Sequence, residues 1–114
     1  MDKITKSHLL DMKAMCDEAV SLREAKLTGA LFEDRIAELA ALHLIQTIGE
    51  CAIRLDKSSP NWRDLMPEIP WSSIVSMRHR IVHAYDDIQG FILIDVLENG
   101  IPQLVLALNK ILGK

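Results

Sequence analysis

From Leu31 to Leu55 the chain reads LFEDRIAELAALHLIQTIGECAIRL, with no proline and one glycine, Gly49. So long a stretch with so few breakers, apolar on most of its circumference, is a long helix that other elements must cover. A first helix is expected from Thr5 to about Lys26, where Leu9, Met12, Met15 or Cys16, Ala19 and Leu22 recur at steps of three and four. LTGALF carries a glycine, Gly29, that can end it. DKSSPNWRDLMPEIPW then supplies polar turn residues and prolines, so Asp56 to Pro70 is expected to be a connection holding at most a short helical turn. Trp71 to about Val82 reads as a third helix, with Pro70 near its first turn, where a missing N–H costs least. Phe91 to Leu112 is apolar at helical spacing but interrupted at ENGIP, where Asn99 and Gly100 can stop one helix and Pro102 start the next. The expected fold is all-α: one domain spanning residues 1–114, a four- to five-helix up-and-down bundle with its last helix broken near Asn99–Pro102.

Composition supports a chain that folds. Apolar residues make up 49% and charged residues 25% of 114 residues, enough to bury a core without disulfides or a metal. A net charge of −3 argues against a broad electrostatic grip on nucleic acid. A local basic site remains open. Cys16 and Cys51 lie in apolar helical patterns and read as small buried hydrophobes in a reducing compartment. MDKITKSHLLDMK carries acids and no cleavable apolar core, and no unbroken apolar run approaches the roughly 18 residues a membrane helix needs. A cytoplasmic protein with no membrane association is expected.

The chemistry concentrates in SMRHRIVHAY, Ser76 to Tyr85. Laid on a wheel at roughly 100° per residue, Trp71, Ile74, Val75, Ile81 and Val82 share one face. Arg78 and Tyr85 fall in the middle of it. Ser72, Ser76, His79 and His83 lie opposite. A guanidinium aimed at an apolar face cannot shed its charge, so Arg78 needs a carboxylate, a phosphate or a partner chain. The second helix offers a stripe of His43, Thr47, Glu50 and Arg54. Glu50 either pairs with Arg78 or orients a group in the same cleft, or forms an ordinary pair with Arg54 four residues on. His79 and His83 are four apart, but no Glu, Asp or Cys stands at the spacing zinc needs, so neither metal nor cofactor is expected. The aromatic content of 4% is too low for platforms that stack single-stranded bases.

MRHRIVHAY resembles the Arg-x4-His-x-Tyr signature of the HEPN superfamily, with Arg78, His83 and Tyr85 in the three positions and His79 as the polar residue after the arginine. IPWSSIVSMRHRIVHAYDDI is similar to the segment around this motif in HepT-type toxins, the partners of MntA-type minimal nucleotidyltransferase antitoxins. LIQTIGECAIRL resembles their IIGEAAxRL pattern, which puts Glu50 on a family position, and ENGIPQLVLALNKIL resembles their closing helix. The resemblance covers about residues 31–114 and is strongest over 69–88.

It implies the toxin of a type VII HEPN/MNT toxin–antitoxin pair: an all-α homodimer that cleaves RNA, such as tRNA or mRNA, without a metal. The arginine and histidine of two protomers would line one cleft, where an RNA 2′-hydroxyl attacks the neighbouring phosphate. Arg78 and His83 would be catalytic, the arginine as phosphate clamp and the histidine as general acid or base. His79 and Glu50 would support them, with Arg80 adding positive charge for the RNA backbone. Tyr85 would be the hydroxyl to which the nucleotidyltransferase adds AMP, which silences the site.

On an ideal helix Arg78 and His83 are roughly 140° out of phase. Either the helix loosens before His83 or a second subunit closes the site. The alternative function is a non-catalytic HEPN module that binds nucleotides or serves as scaffold in a nucleotidyltransferase complex. Glu38 and His43 in AELAALHL depart from the basic residues many relatives carry there, which weakens any RNA contact along that stretch.

Overall fold

A computed structural model describes residues 1–25 and 34–113. Four helices make up its frame: α1 (Lys3–Ala25), α2 (Arg35–Ser58), α3 (Trp71–Ala84) and α4 (Gly90–Leu112). The helix end expected at Gly29 lies outside the described residues. Among these residues no strand occurs, and the all-α bundle expected from periodicity is what forms.

Each helix buries a stripe its spacing dictates. In α1 the buried residues are Thr5, Leu9, Met12, Cys16 and Ala19, so Cys16 and not Met15 takes the core position. α2 buries two stripes. Ala37, Ala41, Leu44, Ile48, Ala52 and Leu55 join the main core, while Leu42 and Ile45 meet Ile81 of α3 and Leu93 of α4 in a smaller cluster. Burial of one Leu- or Ile-sized side chain is worth about 1.5–3 kcal/mol, so the two-sided burial of α2 makes it the hub of the bundle.

Polar contacts fix the direction of the chain. Asp34 caps α2, its Oδ1 accepting from the Ala37 N–H at 3.1 Å. The buried Thr5 hydroxyl bonds Ser59 Oγ at 2.6 Å, tying the start of α1 to the end of α2, so the two run antiparallel. α2 and α3 are antiparallel as well, with Leu42 near Ile81 and Gly49 near Ile74 and Arg78.

The connection after α2 is pinned by a few buried side chains. It contains one short 3-10 turn, Trp62–Leu65, entered through Asn61 at φ 63°, a left-handed conformation that asparagine tolerates. Trp62, Met66 and Ile69 are buried, and the Trp62 and Trp71 rings meet edge to face at 4.5 Å between centroids. Asp56 accepts from Trp62 Nε1 at 2.8 Å and pairs with Arg63. The Arg63 guanidinium first, and then the Trp62 N–H, hold the Asp56 carboxyl below its ordinary range against the opposing effect of partial burial.

The interruption expected at Asn99–Pro102 is present in another form. Val96–Gly100 is π-helical, and the Ile101 N–H donates to the carbonyl of Val96 five residues back. Pro102 has no N–H to return to the turn before it and its ring crowds that turn, so the helix widens there instead of ending. Leu93, Leu97 and Ile101 stay buried on either side of the wider turn.

α2 and α4 are each long and apolar enough to cross a membrane by length and composition, contrary to the expectation from unbroken apolar runs. Their apolar stripes are instead packed against other helices of the bundle. Cys16 and Cys51 are buried free thiols. Burial pushes the Cys16 thiol up to about 12 and also raises that of Cys51.

Candidate functional site

The motif occupies the C-terminal half of α3 and the turn after it. Arg78 faces α2, as the wheel requires, and its side chain is 26% exposed, half-buried on the crossing between the two helices. What allows this is Gly49. A Cβ there would stand 2.5 Å from Arg78 Cβ, 3.1 Å from Arg78 Cγ and 3.3 Å from the Ile74 carbonyl oxygen. The one glycine of the second helix leaves room for α3 to pack directly against its backbone.

Arg78 Nε lies 4.0 Å from Glu50 Oε1, an ion pair too long for a hydrogen bond. The same Glu50 oxygen accepts from Gln46 Nε2 at 2.9 Å. Arg78 Nε is therefore buried with no hydrogen-bond partner among the described residues, while Nη1 sits 3.3 Å from His79 Nδ1. Of the two roles open to Glu50, the pairing is with Arg78 and not with Arg54. Within the polar stripe of α2, Thr47 turns inward on its own helix, its hydroxyl donating to the Leu44 carbonyl at 2.9 Å, and His43 and Arg54 are exposed.

His79 and His83 are both exposed, and their rings stack at 6.5 Å with 16° between planes. Arg80 is exposed beside them. α3 does not end until Ala84, so the chain does not loosen before His83. The phase difference between Arg78 and His83 stands within one chain. Among the described residues no group of three His, Cys, Asp or Glu side chains is placed to hold a metal ion.

The wheel fails at Tyr85. Ala84 adopts φ −157° and ψ 50°, away from helical values, and Tyr85–Asp87 form a separate 3-10 turn. Tyr85 therefore leaves the apolar face on which the wheel put it and is 43% exposed. Val82, also assigned to that face, is 43% exposed, and only Trp71 and Ile81 of α3 are fully buried. The Arg35 guanidinium lies 5.9 Å from the centroid of the Tyr85 ring. Arg35 also pairs with Glu38, so the acidic departure along α2 is partly neutralised by its own neighbour.

Three features here escaped the sequence. Gln46 had no signal beyond its place four residues before Glu50, a spacing that could have found it. The contact of Arg35 with Tyr85 joins residues 50 apart. Gly49 was visible as a glycine in a helix, but only the crossing explains it.

An all-α bundle with an arginine set into a helix crossing, followed by an exposed histidine and tyrosine, is the HEPN class of protein. The family described as "Ribonuclease HepT-like" matches residues 11–111, and the chain belongs to it. It is 32% identical to a protein of Thermococcus cleftensis named "Probable ribonuclease HepT", over 76% of this chain and 80% of that one. It is 27% identical to a protein of Caldanaerobacter subterraneus subsp. tengcongensis, provisionally named an RNase, over 78% of this chain and 80% of the relative. A provisionally named RNase of Methanocaldococcus jannaschii is 20% identical over 96% of this chain and 88% of its own. No solved structure matches the chain convincingly.

Proposed function

We propose that this chain, a single HEPN-like domain over residues 1–114, is a metal-independent endoribonuclease acting in the cytoplasm as the toxin of a HEPN/MNT pair. Family membership and the names of its relatives support the activity. The observation that carries the residue assignment is the state of Arg78. A half-buried guanidinium whose Nε has no hydrogen-bond partner among the described residues and whose carboxylate stands at 4.0 Å is a charge still short of ligands. An RNA phosphate supplies them.

Arg78 and His83 are the catalytic pair, and they act across a homodimer. A straight helix turns them roughly 140° apart, and α3 is unbroken between them, which favours a phosphate held between two copies of α3 related by a twofold axis. Ile36, Leu39, Val82, Tyr85 and Phe91, apolar side chains left exposed near the ends of α2, α3 and α4, are suited to such an interface.

In that cleft one His83 takes the proton of the RNA 2′-hydroxyl. The 2′-oxygen then attacks phosphorus. The bond to the 5′-oxygen breaks, and the second His83 gives that oxygen a proton, leaving a 2′,3′-cyclic phosphate and a 5′-hydroxyl. Arg78 holds the charge that grows on the phosphoryl oxygens. Glu50 and His79 hold Arg78 in place, and Arg80 draws the RNA backbone.

Tyr85 is the regulatory hydroxyl. Its exposure on the turn after α3 suits addition of AMP by a nucleotidyltransferase partner, and the added phosphate competes with RNA for Arg78. The test is cleavage of a tRNA in EDTA by wild type, Arg78→Ala and His83→Ala, with each variant's dimer checked by light scattering. Loss of cleavage in both variants supports the reading. A wild-type protein that leaves RNA intact and is harmless when expressed overturns it in favour of a non-catalytic HEPN module.

A further inference from the structure

A cavity lies on the flank of α3 turned away from the exposed histidines. Between α2, α3 and the π-helical part of α4 the surface opens into a cavity of about 230 Å³. Its walls are Ile45 and Ile48 of α2, Ile74 and Met77 of α3, and Ile101 and Leu104 of α4. Its polar lining residues, Ser73, Asp95 and Gln103, are all exposed, so they form the rim and the aliphatic residues the floor. By helical phase, Ser73, Ile74 and Met77 lie on the opposite flank of α3 from His79 and His83.

Gly100 is the telling residue. It lines the cavity, it sits in the interior of α4 at φ −64° and ψ −50°, and glycine is among the poorest residues for a helix interior. Its backbone conformation is open to any residue, and no neighbour crowds it: a Cβ there would meet only Val96 Cγ1, at 4.0 Å. Neither dihedral angle nor close packing requires a glycine, in contrast to Gly49. Gly100 is itself exposed, so it stands at the rim, and its missing side chain leaves the mouth of the cavity open.

We propose that this cavity is a binding site for a small molecule with an apolar, ring-sized body, one hydrogen-bond donor and no negative charge. The size sets the body: an apolar cavity of about 150 Å³ holds benzene, and drug-sized ligands need about 300 Å³ or more. The lining sets the charge. Among the described residues no Lys, Arg or His contributes to it, so a phosphate or carboxylate has no partner there. Asp95 sets the donor. Its Oδ1 accepts from Asn99 Nδ2 at 2.8 Å, which orients the carboxylate and leaves Oδ2 at the rim for an N–H or O–H of the ligand. Indole has this chemistry, and indene is the same shape without the donor.

The test is a titration of the full chain, labelled at isoleucine methyls, with indole and separately with indene, followed by NMR. Saturable shifts confined to Ile45, Ile48, Ile69, Ile74 and Ile101 are expected, with indole tighter than indene and Asp95→Ala removing the difference. Gly100→Leu lays a side chain across the mouth and is expected to weaken indole by about tenfold or more. If that variant does not fold, Gly100→Ala adds one methyl group at the same mouth and must weaken binding too. Absence of saturable shifts in the wild type, or equal indole affinity in wild type and in the folded Gly100 variant, overturns the proposal.

Discussion

Gly49 and Arg78 meet where α2 and α3 cross, so closely that a single added carbon on Gly49 would overlap the Arg78 side chain at 2.5 Å. Arg78 Cβ is fixed to the α3 backbone and cannot swing aside. Gly49→Ala must therefore push the two helices apart or expel the arginine. The expected cost is about 1–3 kcal/mol, the usual range for overpacking, measured by urea unfolding. RNA cleavage should fall by more than the loss of folded protein explains, because the same shift moves the guanidinium. Unchanged stability and cleavage would mean that the crossing is looser than the contact implies.

Arg78→Lys should not restore what Arg78→Ala removes. A lysine keeps the charge but presents a point donor where the arginine presents a planar fork. Both variants are expected to lower single-turnover RNA cleavage by about 10²–10³-fold, the effect of losing one well-placed donor to a developing oxyanion. His83→Ala is expected to lose about 10²–10⁴-fold. His83 is exposed, so this variant should unfold like the wild type.

The Asp56 clamp predicts a pH signature. Its carboxyl is held below the ordinary value of 3.8 in the folded chain, chiefly by Arg63. The unfolded chain therefore binds the proton first as pH falls. The contribution is complete above about pH 4 and is lost as pH drops through the lowered folded value. With both partners 37% exposed, solvent screening limits it to about 0.2–1 kcal/mol. Wild type should melt above Asp56→Asn at neutral pH, and the gap should close on acidification. A constant gap down to pH 3 would remove the charge from the account.

The two thiols should be silent in the native state. Cys16 is fully buried with its thiol pushed up to about 12, and the reactive species is the thiolate. Labelling with a thiol reagent near pH 8 should proceed at the rate of unfolding. It should accelerate in step with urea for both cysteines.

The periodicity of the chain carried much of this architecture. Leu9, Met12 and Ala19 are buried where steps of three and four put them, and Arg78 stood out because its phase conflicted with its charge. The wheel holds only as far as the helix does: Ala84 leaves helical geometry, and Tyr85 turns out with it. Which acid faces Arg78 depended on the antiparallel packing of α2 and α3, which a one-helix pattern does not contain. Arg78 Nε goes without a hydrogen bond among the described residues because Glu50 Oε1 stands 4.0 Å away. Such a distance between helices has no linear signature.

The π turn in α4 has a consequence for chain length. Such a turn amounts to an α-helix with one residue too many. Removing Gly100 would change the spacing of the buried Leu93, Leu97, Ile101, Leu104 and Leu108 from four, four, three, four to four, three, three, four, which a regular helix presents on one side. Deletion inside a core helix ordinarily rotates everything beyond it out of register. This one is a spare link, and a chain of 113 residues could close the same bundle.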